Sequence, residues 1–362
     1  MEENCRLGDE GTDPAVVLVR GSPSGVIKQL SHEALTDIVP VHKAIRALKR
    51  SNGSAVCYGS ALGLVGALSA VGQTLNGDYT FELIAYRERH NRGNPRLVDQ
   101  DSVVKMDCMT TPETFNNYDS DNRRILITPH GPDPVLLGLR GETPRAVARA
   151  FRLILIREPV ERWVIFRTNH GTDAHFPNKL LNQRIELNRP VILSGSVLER
   201  PERISGGHVF FLLKHKNGIV QCAAFEPTGK FKEVVAGLVP GDKVMVFGGV
   251  REKDTKHPLT VNLEKIIIRQ VGSDIAIENP KCSRCGKHMK SVGEGQGFRC
   301  VRCKLGESHE SKKILRKPRV IRRGLYLPDK KAQRHLTKPL SRYGLEKRRW
   351  SKETPIGTWH RP

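Results

Sequence analysis

Apolar positions recur along this chain in three textures. Early on the spacing is helical. Over Val41–Arg50, the residues Val41, Ala44, Ile45 and Leu48 share one face, while His42, Lys43, Arg46, Lys49 and Arg50 share the other. That is the pattern of a helix laid on a core. A strand, Ala15–Val19, lies upstream between GTDP and GSPSG, and Pro40 breaks an intervening helix. Gly59–Gly72 is apolar almost all round but contains Gly59, Gly63, Gly66 and Gly72. Each glycine costs a helix about 1 kcal/mol relative to alanine, so they need a cause. The stretch lacks the Lys-Ser/Thr ending of a phosphate loop and a clean dinucleotide fingerprint. Close packing is therefore expected over phosphate binding.

In the middle third the period drops to two. Over Asp78–Arg87, Tyr79, Phe81, Leu83 and Ala85 line one face of a strand, with Asp78, Thr80, Glu82, Ile84 and Tyr86 on the other. Glu82 sits among apolar neighbours, so its carboxylate must be paired or bind something cationic. Arg124–Thr128 reads as another strand, ending in the rigid turn PHGPDP. A helix follows, with Thr143 as N-cap, Pro144 in its first turn and Val147, Ala150, Phe151 and Ile154 buried. The chain then enters ERWVIFRTNHGTDAHF, Glu161–Phe176. Trp163–Phe166 forms a buried strand, and Arg167, Thr168, Asn169, His170, Gly171, Thr172, Asp173 and His175 crowd its exit. A plain polar turn needs two or three such side chains. This density points instead to chemistry presented at a strand end.

From about Pro190 the texture is all-β. Strands are expected at Val191–Leu198, His208–His215, Ile219–Phe225, Lys243–Val250 and Leu259–Arg269, with a hairpin at Lys216-Asn217-Gly218 and a short helix at Phe231–Leu238. Five strands with a helix between the third and fourth imply an OB-fold, a platform for single-stranded nucleic acid. Beyond it, Cys282, Cys285, Cys300 and Cys303 form two CxxC knuckles. Four thiolates so spaced suit one tetrahedral, structural Zn²⁺ and leave no open position for substrate. The other four cysteines are scattered, which fits a reducing compartment better than a disulfide framework.

Charge sharpens this picture. The 362 residues carry a net +22, and nucleic acid is the commonest partner of so basic a chain. Residues 304–362 hold 18 Lys/Arg against 5 Asp/Glu, interleaved with Tyr326, Tyr343, Trp350 and Trp359. Such a tail is expected to contact RNA, its aromatic residues either stacking on bases or docking it to the body. No apolar run approaches membrane-span length, and MEENCRLGDEG is no signal peptide, so a cytoplasmic setting is expected.

Several of these stretches resemble one family, the archaeal tRNA(Ile) 2-agmatinylcytidine synthetases. ERWVIFRTNHGTDAHF, DYTFELIAYR, TFNNYD and PHGPDPVLLGLRGE all resemble its motifs and run in family order from about Gly11 through the paired CxxC knuckles. The resemblance implies an α+β multidomain chain. Its parts would be a remnant of a kinase-like domain (1–56), a ferredoxin-like domain (57–128) opened by the glycine-rich helix, and a second part of the kinase-like domain (129–185). An OB-fold barrel (186–273), a zinc ribbon (278–305) and the basic tail (306–362) would follow. It also implies ATP-driven attachment of agmatine to the wobble cytidine of tRNA(Ile) with a CAU anticodon, with ATP, Mg²⁺ and Zn²⁺ as cofactors. Arg167, Thr168, Asn169 and His170 would be catalytic, and Arg167, Thr168, Asn169 and Asp173 would line the nucleotide pocket. Asp78, Glu82 and Asp119 would receive agmatine, whose guanidinium and amine call for carboxylates. Two departures stand out. His170 occupies a position where the family usually has glutamine, and the acidic GIDDTDS motif that opens family members is not in this chain. The motif's metal-binding aspartates would then come from a longer chain or a separate polypeptide; otherwise the protein would be an RNA binder without kinase activity.

Overall fold

In the computed structural model, residues 5, 7–177, 181, 182, 184–252, 258–307, 312–347 and 358–361 are described. The first unit contains β1 (Ala15–Val19), α1 (Gly25–Ala34), α2 (Val41–Arg50), β2 (Gly53–Cys57) and α3 (Gly63–Gly72). β1 and β2 pair antiparallel, with Val16 opposite Val56. Ile27, Leu30, Ala44, Ala47, Leu64 and Leu68 form its core. The glycine-rich helix α3 belongs to this core rather than to the ferredoxin-like unit it was expected to open. Close packing explains why. A Cβ at Gly72 would strike the Ile27 carbonyl on α1, and one at Gly59 or Gly63 would strike Asp13. Asp13 itself accepts from the Ser60 backbone N–H at 2.8 Å.

The second unit runs β3 (Thr80–Arg87), α4 (Gln100–Thr110), β4 (Thr114–Phe115), β5 (Tyr118–Asp119), β6 (Arg124–Ile125), β7 (Val135–Gly141), α5 (Pro144–Leu153) and β8 (Val160–Thr168). Its sheet order, β8-β3-β7-β4, is that of a ferredoxin-like fold. The boundary expected at 128/129 therefore falls inside one sheet. β7 and β8 flank β3 on either side, so most of the segment assigned to a kinase-like domain completes the ferredoxin-like unit. Tyr79, Phe81, Leu83 and Ala85 enter its core as their alternation requires, together with Leu137, Leu139 and Val147. Thr143 caps α5 by accepting from the Ala146 N–H at 3.1 Å.

The third unit is a barrel of β9 (Pro190–Val197), β10 (Glu202–Arg203), β11 (Val209–His215), β12 (Gly218–Ala224), α6 (Lys230–Ala236), β13 (Lys243–Arg251) and β14 (Thr260–Gln270). β9 pairs with both β11 and β13, β12 with both β11 and β14, and β13 with β14, which closes five strands. This is the expected OB-fold, with strand limits within about two residues of those read from the sequence. β15 (Asp274–Glu278) leads to the ribbon strands β16 (Lys290–Ser291), β17 (Phe298–Arg299) and β18 (Gly306–Glu307).

The basic tail is not one free arm. β19 (Lys313–Lys317) pairs with β15, β20 (Gly324–Tyr326) extends β14, and β21 (His360–Arg361) adds to the edge of β8. Tyr326 and Tyr343 are docked against the body: the Tyr326 hydroxyl donates to the Arg322 carbonyl at 2.9 Å, and Tyr343 Oη reaches Asp173 Oδ2 at 3.3 Å. Trp350 lies outside the described residues.

Candidate functional site

The loop leaving β8 is shaped by its own backbone. His170 N–H donates to Thr168 Oγ1 at 3.2 Å, and Thr80 Oγ1 donates to the His170 carbonyl at 2.8 Å. The Asn169 carbonyl accepts from Thr172 Oγ1 at 2.5 Å. Gly171 holds φ +68°, and a Cβ there would lie 2.9 Å from the Phe115 ring, so only glycine fits. Arg167 does not project from this loop. Its guanidinium lies 3.7 Å from the centre of the Tyr79 ring and donates to the Leu75 carbonyl at 2.9 Å.

The C-terminal segment is bound to the same loop. Gly171 N–H donates to the His335 carbonyl and Asp173 N–H to that of Leu336, each at 2.8 Å. Asp173 accepts from the Lys338 N–H at 2.9 Å and holds the Lys265 ammonium. Burial pushes the Lys265 ammonium down from its ordinary value, against the pull of Asp173. Arg342, with its side chain fully enclosed, forks onto Asp78 at 3.0 and 3.1 Å, onto both oxygens of Glu142, and onto the Gly171 carbonyl at 2.6 Å. Lys347 adds its ammonium to Glu142 at 2.7 Å and its N–H to Asp78 at 3.0 Å.

Four further side chains meet on the exposed side of the sheet. Arg140 Nε donates to Glu82 Oε1 at 2.9 Å, and His170 Nδ1 lies 2.8 Å from Glu82 Oε2. Arg140 Nη2 reaches His335 Nδ1 at 2.6 Å, and the His335 and His170 rings stack with centroids 5.2 Å apart. Burial alone would raise the Glu82 carboxyl, but His170 and Arg140 hold it below its ordinary value. His335 is pushed down by burial and by Arg140. Glu82 is thus buried and paired, as its sequence position requires.

Asp119 stands apart from both groups. It is buried, accepts from the Asp121 and Asn122 backbone N–H groups at 3.2 and 3.3 Å, and takes Asn122 Nδ2 at 2.8 Å. It borders a cavity of about 370 Å³ lined also by Asp107, Asp121 and Asp329 against Lys230 and Lys330. Asn116, on the same wall, sits at φ +56° with its buried Oδ1 lacking a hydrogen-bond partner. The three carboxylates expected to share agmatine thus lie in three separate settings. Asp78 is engaged by Arg342 and Lys347, Glu82 by Arg140 and His170, and Asp119 alone faces an open acidic space.

Arg140, His335, Arg342 and Lys347 were missed by the sequence reading. The available signal was the acidic Asp78 and Glu142 at sheet ends, with basic residues in excess only in the tail.

In the ribbon, the ligating atoms of Cys282, Cys285, Cys300 and Cys303 all lie within 4.8 Å of one another. The Cys303 N–H, 3.3 Å from Cys300 Sγ, lowers that thiol to about 7. Four thiols so gathered, one already inclined to ionise, fit a structural Zn²⁺. Among the described residues no other group of three or more His, Cys, Asp or Glu side chains converges on one point. These carboxylates do not form a Mg²⁺ cage, and no step is assigned to that ion. No helix among the described residues is long and apolar enough to cross a membrane.

Comparison with known proteins gives the same layout. Residues 62–175 match the TiaS FLD domain, residues 191–269 an OB-fold nucleic acid binding domain, and residues 279–321 the TiaS C-terminal zinc ribbon domain. The tRNA(Ile) 2-agmatinylcytidine synthetase TiaS of Staphylothermus marinus is 40% identical over 94% of this chain and 75% of its own length. That of Methanosarcina mazei is 39% identical over 94% and 80%. Among solved structures, a complex of TiaS with its isoleucine tRNA and ATP superposes with a TM-score of 0.81 at 37% identity, covering 93% of this chain and 78% of that one. A complex of TiaS with the same tRNA, AMPCPP and agmatine gives 0.80 at 36% identity with the same coverage. With these units in this order, aligned along nearly its whole length, the chain belongs to the TiaS family of tRNA(Ile) 2-agmatinylcytidine synthetases.

Proposed function

We infer that this chain serves the ATP-driven attachment of agmatine to the wobble cytidine of tRNA(Ile) with a CAU anticodon, in a cytoplasmic setting. The observation that carries this is the pairing, in one ferredoxin-like unit, of an acid-lined cavity with a cationic patch. Phe115 walls the cavity and pairs in register with Arg140, so the two lie on adjoining strands. The cavity suits a molecule with a guanidinium at one end and an amine at the other. Asp119 and the unpartnered Asn116 Oδ1 supply acceptors, and the wall is acidic overall.

Asp78 and Glu82 act one step back, fixing Arg342 and Arg140. Arg140, His170 and His335 form a partly exposed cluster of N–H groups suited to phosphate oxygens, and Arg167, Thr168, Asn169 and Asp173 hold the loop that presents His170. ATP supplies a phosphoryl group that turns the cytidine C2 oxygen into a leaving group. Agmatine's amine then forms the new C–N bond as that oxygen departs with phosphate. The chain's own share is to hold the amine-bearing substrate in the acidic cavity, to place positive charge beside the phosphates, and to grip the RNA through barrel, ribbon and tail.

The experiment is labelled agmatine transfer to that tRNA in the presence of ATP. It is run with the chain alone and with a separate polypeptide bearing the acidic GIDDTDS segment. Transfer in either arm that falls at least tenfold in Asp119→Asn supports the assignment. Tight tRNA binding with no transfer in both arms would instead favour a pure RNA binder.

A further inference from the structure

The largest cavity, about 740 Å³, lies outside the site described above, where the end of α1, the barrel and the tail meet. At its centre His175 and Glu264 are both more than nine-tenths buried, with His175 Nε2 2.9 Å from Glu264 Oε2. A carboxylate only accepts, so in the neutral ring Nε2 carries the proton and Nδ1 is left as an acceptor. That Nδ1 is buried without a hydrogen-bond partner, and so is Oδ1 of Asn262 on the same wall. Asn262 is held rigidly, since β14 pairs there with Ala223 on one side and Gly249 on the other. Both unmatched atoms are therefore acceptors, on rigid supports. Around them the lining carries Arg189, Arg251 and Arg334 against Asp37 and Glu264.

Buried acceptors call for a ligand that donates N–H, while an excess of guanidinium groups calls for one that is anionic outside. A free guanidinium or amine meets the first demand and is repelled by the second. A nucleotide with an exocyclic amino group meets both: the amine faces Asn262 and His175, and the phosphates face the arginines. Uracil presents carbonyls on either side of its single N–H and would set acceptor against acceptor. We propose that this cavity receives one unpaired nucleotide of the bound RNA, selected for an exocyclic amine on its base. The proposal rests on the RNA-binding part of the function above but concerns a different pocket from the agmatine cavity.

The test uses the full chain and fluorescein-labelled decamers of cytidine, adenosine and uridine, with binding read by anisotropy at fixed salt. The cytidine and adenosine oligomers should bind about tenfold more tightly than the uridine oligomer, the discrimination expected of one base-edge contact. Asn262→Leu should abolish that ratio while leaving the uridine affinity and its salt dependence unchanged. Asn262→Asp, which keeps the acceptor, should retain the ratio even if overall affinity falls. Equal binding of all three oligomers by the unaltered chain would overturn the proposal while leaving general RNA binding intact. A preference that survives Asn262→Leu, or that millimolar agmatine erases, would overturn it as well. Failure to bind any oligomer would overturn the RNA-binding reading itself.

Discussion

Replacing Arg342 by alanine tests how the tail is joined to the ferredoxin-like unit. The guanidinium is wholly enclosed and satisfies Asp78, Glu142 and the Gly171 carbonyl at once. Removing one partner of a buried ion pair costs about 3–5 kcal/mol, because the charge left behind stays desolvated. Two carboxylates would be left here, but each keeps a second partner. Lys347 Nζ remains 2.7 Å from Glu142, and the Lys347 N–H and Lys338 ammonium remain 3.0 and 3.7 Å from Asp78. The expected loss therefore sits at the lower end, about 3 kcal/mol. Arg342→Lys keeps the charge but cannot fork onto two carboxylates, and should lose about half as much. Because the chain has several units, a single melting temperature is a poor measure. Hydrogen exchange is better, read at the Gly171 and Asp173 amides that bond to His335 and Leu336. A loss of about 3 kcal/mol should speed their exchange about a hundredfold, while amides in the barrel core keep their protection. An alanine variant with unchanged exchange at both amides would refute the idea that Arg342 fixes the tail.

Three more outcomes follow from the same geometry. Purified protein should contain one zinc per chain, and Cys282→Ser with Cys300→Ser should abolish it; metal analysis that finds no zinc in the unaltered chain would refute the site. Lys313, Arg316 and Lys317 are exposed along β19, so replacing all three by alanine should weaken tRNA binding and reduce the log–log salt slope by about 2–3, one unit per lost phosphate contact. An unchanged slope would remove this strand from the RNA surface. Glu82 has a folded pKa below its ordinary 4.5, so its stabilising contribution is present above that value and lost as pH falls through the depressed one. Between about pH 5 and 3 the unaltered chain should lose more stability than Glu82→Gln, and parallel pH curves would refute this.

How far the sequence revealed the fold depended on the range of the interaction. The faces of β3, the cap of α5 and every barrel strand were legible, because period-two alternation and capping are local. The limits of the ferredoxin-like unit were not. Its sheet is closed by β7 and β8, far along the chain, and a Pro-rich turn at Pro129–Pro134 looks like a boundary whether or not the next strand returns to the same sheet. The helix α3 was placed with the wrong neighbour for a related reason: small residues announce close packing without saying against what. The site shows the same division. That Glu82 must be paired follows from its apolar neighbours, but nothing local names Arg140 or His170. The tail shows it most clearly. Its charge suggested an arm reaching for RNA, yet Arg342, Lys338 and Lys347 neutralise Asp78 and Glu142 instead. A basic run serves RNA only where the fold leaves its charges without carboxylates. In this tail that condition singles out β19, whose Lys313, Arg316 and Lys317 lie fully on the surface, rather than the more densely bonded stretch from His335 to Lys347.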